Sequence, residues 1–100
     1  VPNGDQPVNT ISVHEARALF ENKEAVFVDI RDPASFQDAH IPGAIHLDDE
    51  NVEEFIDAAD KSCTHIIYCY HGNNSQGGAA YFEEQGFQAV YSMSGGYTAW

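Results

Sequence analysis

Basic residues are the scarcest class in this chain. Arg17, Lys23, Arg31 and Lys61 stand against sixteen acids, for a formal net charge of −12. A surface of that sign repels phosphate backbones and anionic headgroups, which argues against nucleic acid and acidic membranes as partners. Long apolar runs are also missing. None approaches the ~20 residues a helix needs to cross a bilayer, which argues against a helical membrane-spanning protein. Only two cysteines occur, Cys63 and Cys69. If the segment between them is extended, their Cα atoms stand ~20 Å apart, against the ~7 Å limit of a disulfide. They should therefore not bridge one another, and two such thiols point to a reducing compartment, the cytoplasm. His14, His40, His46 and His65 lack the spacing of a metal site. No signal-peptide pattern, internal repeat or low-complexity tract appears.

What is present is one domain's worth of chain, 100 residues with 43% hydrophobic content and twelve aromatics. Residues 1–9 are polar, with two prolines and a glycine, and read as a flexible leader or linker; residues 10–100 read as the domain. Ser12-Val13-His14-Glu15 fits a capping box, followed by an apolar stripe of Ala16, Leu19 and Phe20. Ala25 to Ile30 is a continuous apolar run suited to a central strand, and Asp32-Pro33 starts a short helix. Ala44 to Leu47 makes a brief strand. Asp48-Asp49 can cap a helix over Val52 to Ala58, with Val52, Phe55, Ile56 and Ala59 on one face. Ala89 to Tyr91 is the last strand, and Gly95-Gly96 leads into a terminal helix. Apolar strands alternating with helices of about ten residues predict an α/β fold, a mostly parallel sheet of about five strands with helices on both faces.

One stretch organises the rest: Ile66-Ile67-Tyr68-Cys69-Tyr70-His71-Gly72-Asn73-Asn74-Ser75. A β-branched run ends in small polar residues, with a cysteine at the change. This pattern predicts a buried strand delivering a thiol to its C-terminal tip, then a tight loop opening into a helix from Ser75 to Gln85. Ser75 can cap that helix and Gly86 can stop it. Backbone N–H groups and a helix N-terminus beside a thiol favour its thiolate, so Cys69 should ionise below the free value of about 8.5. A buried core cysteine is the alternative reading of the same apolar run. In open α/β sheets ligands bind beyond the carboxyl ends of the strands. Asp29-Ile30-Arg31, Cys69 and Ser92-Met93-Ser94 would share that edge.

Cys69-Tyr70-His71-Gly72-Asn73-Asn74-Ser75 resembles the active-site loop of single-domain rhodaneses, the thiosulfate sulfurtransferases, and within them the GlpE type. The resemblance runs from Ile11 to Trp100. It takes in Asp29-Ile30-Arg31-Asp32, Phe36, His40-Ile41-Pro42-Gly43-Ala44-Ile45 and Gly95-Gly96-Tyr97-Thr98-Ala99-Trp100. It implies the rhodanese-like fold and a two-step relay. Cys69 takes the outer sulfur of thiosulfate or a related donor, becoming a persulfide, and cyanide or a thiol then removes that sulfur; a small thiol or a thioredoxin-like protein would serve as the thiol. The amides of Tyr70, His71, Gly72, Asn73, Asn74 and Ser75 would hold the substrate, so no cofactor, metal or acid–base side chain is required. His71 is assigned to loop structure or substrate contact, Asp29 and Arg31 to architectural support, with Arg31 adding positive charge at the active edge. Tyr97 and Trp100 are assigned to core and lid.

Two features depart from many relatives. The loop contains no Lys or Arg, where many rhodaneses place a basic residue at the position of Asn74. Together with the charge of −12, this should weaken capture of a dianion such as thiosulfate. Relatives also continue beyond the position of Trp100, which implies a terminal helix cut short. A cysteine phosphatase or arsenate reductase would need an arginine six residues after the cysteine to grip the oxyanion, and Ser75 stands there. A dithiol redox enzyme would need two adjacent thiols. A non-catalytic persulfide carrier or docking module would keep the same fold and use the thiol only with a partner.

Overall fold

The computed structural model describes residues 9–48, 50–70 and 74–100. In chain order the elements are β1 (Thr10–Ile11), α1 (Val13–Glu21), β2 (Val26–Asp29), α2 (Pro33–Asp38), β3 (Ile45–His46), α3 (Val52–Ala58), β4 (Thr64–Tyr68), α4 (Asn74–Glu84), β5 (Ala89–Met93) and α5 (Gly96–Ala99). The five strands form one sheet in the order β1-β5-β4-β2-β3, with every pairing parallel.

Side chains alternate across this sheet, and the alternation divides the core in two. Val28, Ile67 and Val90 pack against Ile56 of α3 and Ala79 and Phe82 of α4. Phe27, Ile66 and Met93 face the other way, against Ala16 of α1 and, at the rim, Tyr97 and Trp100. Adjacent residues thus serve opposite layers, which is why these strands read as unbroken apolar runs.

Local chemistry sets the helix ends. Ser12 Oγ accepts from the Glu15 amide at 3.1 Å while the Glu15 carboxylate reaches back to the Ser12 amide, closing the capping box. Asp32 caps α2 through the Ser35 amide at 3.1 Å, with Pro33 in the first turn. Asp48 Oδ1 gathers the Glu50 and Asn51 amides ahead of α3, in an Asx-type turn outside the helix.

Several boundaries differ from the sequence reading: β2 and β3 are shorter than the runs Ala25 to Ile30 and Ala44 to Leu47, α3 is capped at Asn51 without a side-chain bond, and three further differences bear on the site. Thr10–Ile11 forms an edge strand beside β5, paired as Thr10 with Ser92 and Ile11 with Met93. Strand β5 runs on to Met93, two residues past Tyr91, because β1 supplies that extra pairing. Helix α4 begins at Asn74, so Ser75 lies inside its first turn and is not its cap.

Candidate active site

Strands β2 and β4 are neighbours at the centre of the sheet, and the chain leaves them in opposite directions, β2 toward β3 and β4 toward β5. The crevice at such a reversal lies beyond the C-terminal ends of the two strands. Both exits carry polar chemistry. Asp29 ends β2 and pairs in register with Tyr68, which ends β4. The Ile30 amide donates to the Tyr68 carbonyl at 3.1 Å, binding the two exits together just before Cys69.

Cys69 is the first residue after β4 and is 5% exposed. Its Sγ accepts a hydrogen bond from the Ser75 amide at 3.3 Å. That amide belongs to the first turn of α4, where backbone N–H groups have no intrahelical acceptor. The Ser75 hydroxyl is turned the other way, to Ser92 Oγ of β5 at 2.7 Å, and both serines are buried. Ser92 therefore anchors the turn whose amide meets the thiol, a contribution that its place on the strand edge does not by itself reveal in the sequence.

The backbone of this loop is held from beneath by α5. The Tyr97 amide donates to the Cys69 carbonyl at 2.7 Å and the Thr98 amide to the Tyr70 carbonyl at 3.0 Å. This docking requires glycine at position 96, whose φ is +60°. A Cβ there would lie 2.4 Å from the Cys69 carbonyl oxygen and 2.5 Å from that of Tyr70.

Asp29 and Arg31 build the adjoining wall. The carboxylate takes Nε of Arg31 at 3.0 Å, a guanidinium nitrogen at 2.7 Å and the Arg31 amide at 2.8 Å. The same guanidinium nitrogen reaches the Ala39 carbonyl at the end of α2, 2.5 Å away. Three rings surround the cation, with Tyr97, Tyr70 and Tyr68 centroids 4.2, 5.1 and 5.7 Å from Cζ. Burial works against the charged guanidinium, but the bond to Asp29 and its negative charge prevail, and its pKa is raised. The Asp29–Arg31 pair is internally neutral, so the positive charge expected from Arg31 at this edge is spent on Asp29. Burial likewise pushes the Tyr68 phenol up, keeping it neutral while its oxygen accepts the Ile41 amide at 3.2 Å.

Tyr70 is 44% exposed and shields the Arg31 face of the loop. Its hydroxyl bonds Ser35 Oγ, which itself donates to Asp32 Oδ1 at 2.7 Å, so Tyr70 is the donor to Ser35. Through this chain the first turn of α2 holds the side chain beside Cys69. Helix α2 is in turn steadied by Phe36, stacked on His40 at 3.8 Å and tilted against His46. Trp100 packs edge-on against Phe20 and Phe27 in the layer beneath α5.

Of the predicted site residues, the structure brings Cys69, Tyr70, Ser75, Asp29 and Arg31 to one edge, joined by the contacts above. Asn74 opens α4; His71, Gly72 and Asn73 lie outside the described residues. Cys63 stands before β4, exposed, and no disulfide joins it to Cys69. Among the described residues no cluster of His, Cys, Asp or Glu could hold a metal ion, and no helix is long and apolar enough to cross a membrane.

The Rhodanese-like domain family matches residues 12–100. A thiosulfate sulfurtransferase GlpE from Pseudomonas aeruginosa is 51% identical over 90 residues, covering 90% of this chain and 81% of the relative. The protein of that name from Vibrio cholerae is 47% identical, covering 90% and 85%. The human single-domain sulfurtransferase TSTD1 superposes with a TM-score of 0.81 over 91% of this chain and 93% of its own, at 19% identity, a likeness of fold alone.

Proposed function

The chain belongs to the rhodanese-like family, and on that premise we propose that it works as a thiosulfate sulfurtransferase through a persulfide on Cys69. The observation that carries the assignment of the residue is the Ser75 amide, 3.3 Å from Cys69 Sγ at the first turn of α4. An oriented N–H donor stabilises negative charge on sulfur, both the thiolate that attacks and the persulfide that forms.

In the first half-reaction the Cys69 thiolate attacks the outer sulfur of thiosulfate. The Sγ–S bond forms, the S–S bond of thiosulfate breaks, and sulfite leaves with the bonding electrons. In the second, cyanide or a thiolate attacks the sulfur carried on Cys69 and releases the thiolate. Neither step demands a proton donor of defined pKa, which fits a thiol that meets a backbone amide. The loop amides from Tyr70 to Ser75, including those of His71, Gly72, Asn73 and Asn74, are assigned the terminal sulfur and the leaving group. Asp29 and Arg31 are assigned support, because their neutral pair fixes the wall beneath Tyr70. A cytoplasmic setting suits a mechanism that needs the Cys69 thiol reduced, and small thiols or a thioredoxin-like protein would be available there as acceptors. Residues 10–100 are assigned as the working domain, with residues 1–9 as a leader or linker.

Intact-mass spectrometry after incubation with thiosulfate tests the relay. The expected result is a gain of one sulfur atom that cyanide removes. A protein that stays at its original mass while turning over thiosulfate and cyanide would contradict the covalent route.

A further inference from the structure

Among the described residues Tyr70 is the most exposed of the large apolar side chains, yet it is held at its carbonyl, its ring and its hydroxyl. Ordering an exposed ring costs side-chain entropy that burial does not offset. The carbonyl accepts the Thr98 amide at 3.0 Å, the ring covers the Arg31 guanidinium at 5.1 Å, and the hydroxyl donates to Ser35 Oγ. That last contact comes from α2, 35 residues earlier in the chain, and it does not end at Ser35. Ser35 donates in turn to Asp32 Oδ1 at 2.7 Å, while its amide goes to Asp32 Oδ2 at 3.1 Å. These two bonds lower the Asp32 pKa, so the carboxylate stays ionised and accepting at neutral pH. An ionised terminus polarises the chain and strengthens the bond that Tyr70 donates.

What this anchor controls is the peptide that joins Cys69 to Tyr70. The Cys69 carbonyl is bonded to the Tyr97 amide and the Tyr70 carbonyl to the Thr98 amide. A trans peptide is planar with its N–H opposite its C=O, so the Tyr70 N–H is turned away from α5. Both bonds come from consecutive residues of one helix. Alone, they leave the backbone free to pivot about the line joining the two carbonyl oxygens. The Tyr70 side chain reaches off that line to α2, and its bond to Ser35 stops the pivot.

Resting on the sulfurtransferase reading, we propose that Ser35 is a positioning residue for sulfur transfer, fixing through the Tyr70 hydroxyl the direction of the Tyr70 amide beside Cys69. That amide is one of the donors assigned to the terminal sulfur. As the Sγ–S bond forms and the S–S bond of thiosulfate breaks, negative charge moves from Sγ to the departing sulfite. A donor assists that step only when it is aimed where the charge develops. With the pivot released, thiosulfate would still bind, and the transition state would be served less well.

A double-mutant cycle tests it. Tyr70→Phe keeps the ring over Arg31 and deletes the hydroxyl, while Ser35→Ala deletes the acceptor of that hydroxyl. Single-turnover loading of Cys69 from saturating thiosulfate, followed by intact mass, should slow about fivefold in each, with little change in the half-saturating concentration. The double variant should be no slower than Tyr70→Phe alone. Ser35→Thr, which keeps a hydroxyl, should load at close to the parent rate. The pH midpoint of Cys69 alkylation, which needs no sulfur transfer, should rise in both single variants. A loss in Tyr70→Phe without one in Ser35→Ala would make the hydroxyl a direct substrate contact and overturn the inference. A further loss on adding Ser35→Ala to Tyr70→Phe would overturn it too, because Ser35 would then act by another route. A parent that takes up no sulfur overturns the sulfurtransferase reading, whereas loading rates and midpoints equal to the parent's in both variants overturn this inference alone.

Discussion

Cys63 and Cys69 flank the same strand, one just before β4 and the other just after it. Cys63 is exposed in the turn after α3, beside Asp60. Its thiol is pushed up from the ordinary value, by partial desolvation first and then by the Asp60 carboxylate. Cys69 is 5% exposed and receives an amide from the first turn of α4. The N-terminal end of a parallel strand offers a thiol little beyond the preceding turn. The C-terminal end offers the opening turn of the next helix. The lesson is that topology, more than burial, sets which backbone groups each thiol meets.

The comparison breaks most sharply by removing each sulfur in turn. Cys69→Ser should lower sulfur transfer by more than about 10³-fold, because serine keeps the size and loses the soft nucleophile. Cys63→Ser should leave turnover within about twofold of the parent. Steady-state thiosulfate:cyanide kinetics measure both, and comparable losses would place the chemistry elsewhere.

The polar wall at the active end should prove costly to breach. Asp29→Ala strands the buried Arg31 charge and is expected to cost about 3–5 kcal/mol of folding stability. Urea denaturation measures this; a loss below about 1 kcal/mol would mean that the guanidinium finds water or another acceptor. A milder change tests the anchor behind Cys69. Ser92→Ala leaves the buried Ser75 hydroxyl without its partner and should cost about 1–3 kcal/mol. It should also raise the pH midpoint of Cys69 alkylation, an effect that a purely structural serine would not produce, and Ser92→Thr should restore part of it.

The smallest effect concerns the long-range field. At −12 and with an uncharged loop, the protein captures thiosulfate against repulsion that salt screens over ~8 Å at physiological ionic strength. The KM for thiosulfate should fall about twofold as salt rises from low values, and Asn74→Arg should lower it as well. A KM that stays flat or climbs would show that the surface charge does not reach the site.

Much of this arrangement was legible in the sequence because its causes are local. The apolar runs of β2 and β4, the Ser12–Glu15 box and the Asp32-Pro33 start each depend on residues within a turn of one another. Asp29 and Arg31 are two residues apart, close enough for a pairing to be expected on the strand exit. What was hidden depends on contacts distant in the chain. Thr10–Ile11 is too short to show strand periodicity and exists through its pairing with Ser92 and Met93. The Ser75 hydroxyl reads locally as a cap, and only the approach of β5 turns it to Ser92. The three-tyrosine enclosure of Arg31 and the need for glycine at position 96 both follow from α5 returning beneath the Cys69 loop.

The central claim is that the C-terminal end of β4 activates one of two cysteines. Alkylation by iodoacetamide, followed at each cysteine by peptide mass across a pH series, tests it most directly. The account predicts a midpoint for Cys69 below about 8.5 and one for Cys63 above the ordinary thiol value, in the direction set by its desolvation and Asp60. A Cys69 midpoint equal to that of Cys63, or higher, would contradict it.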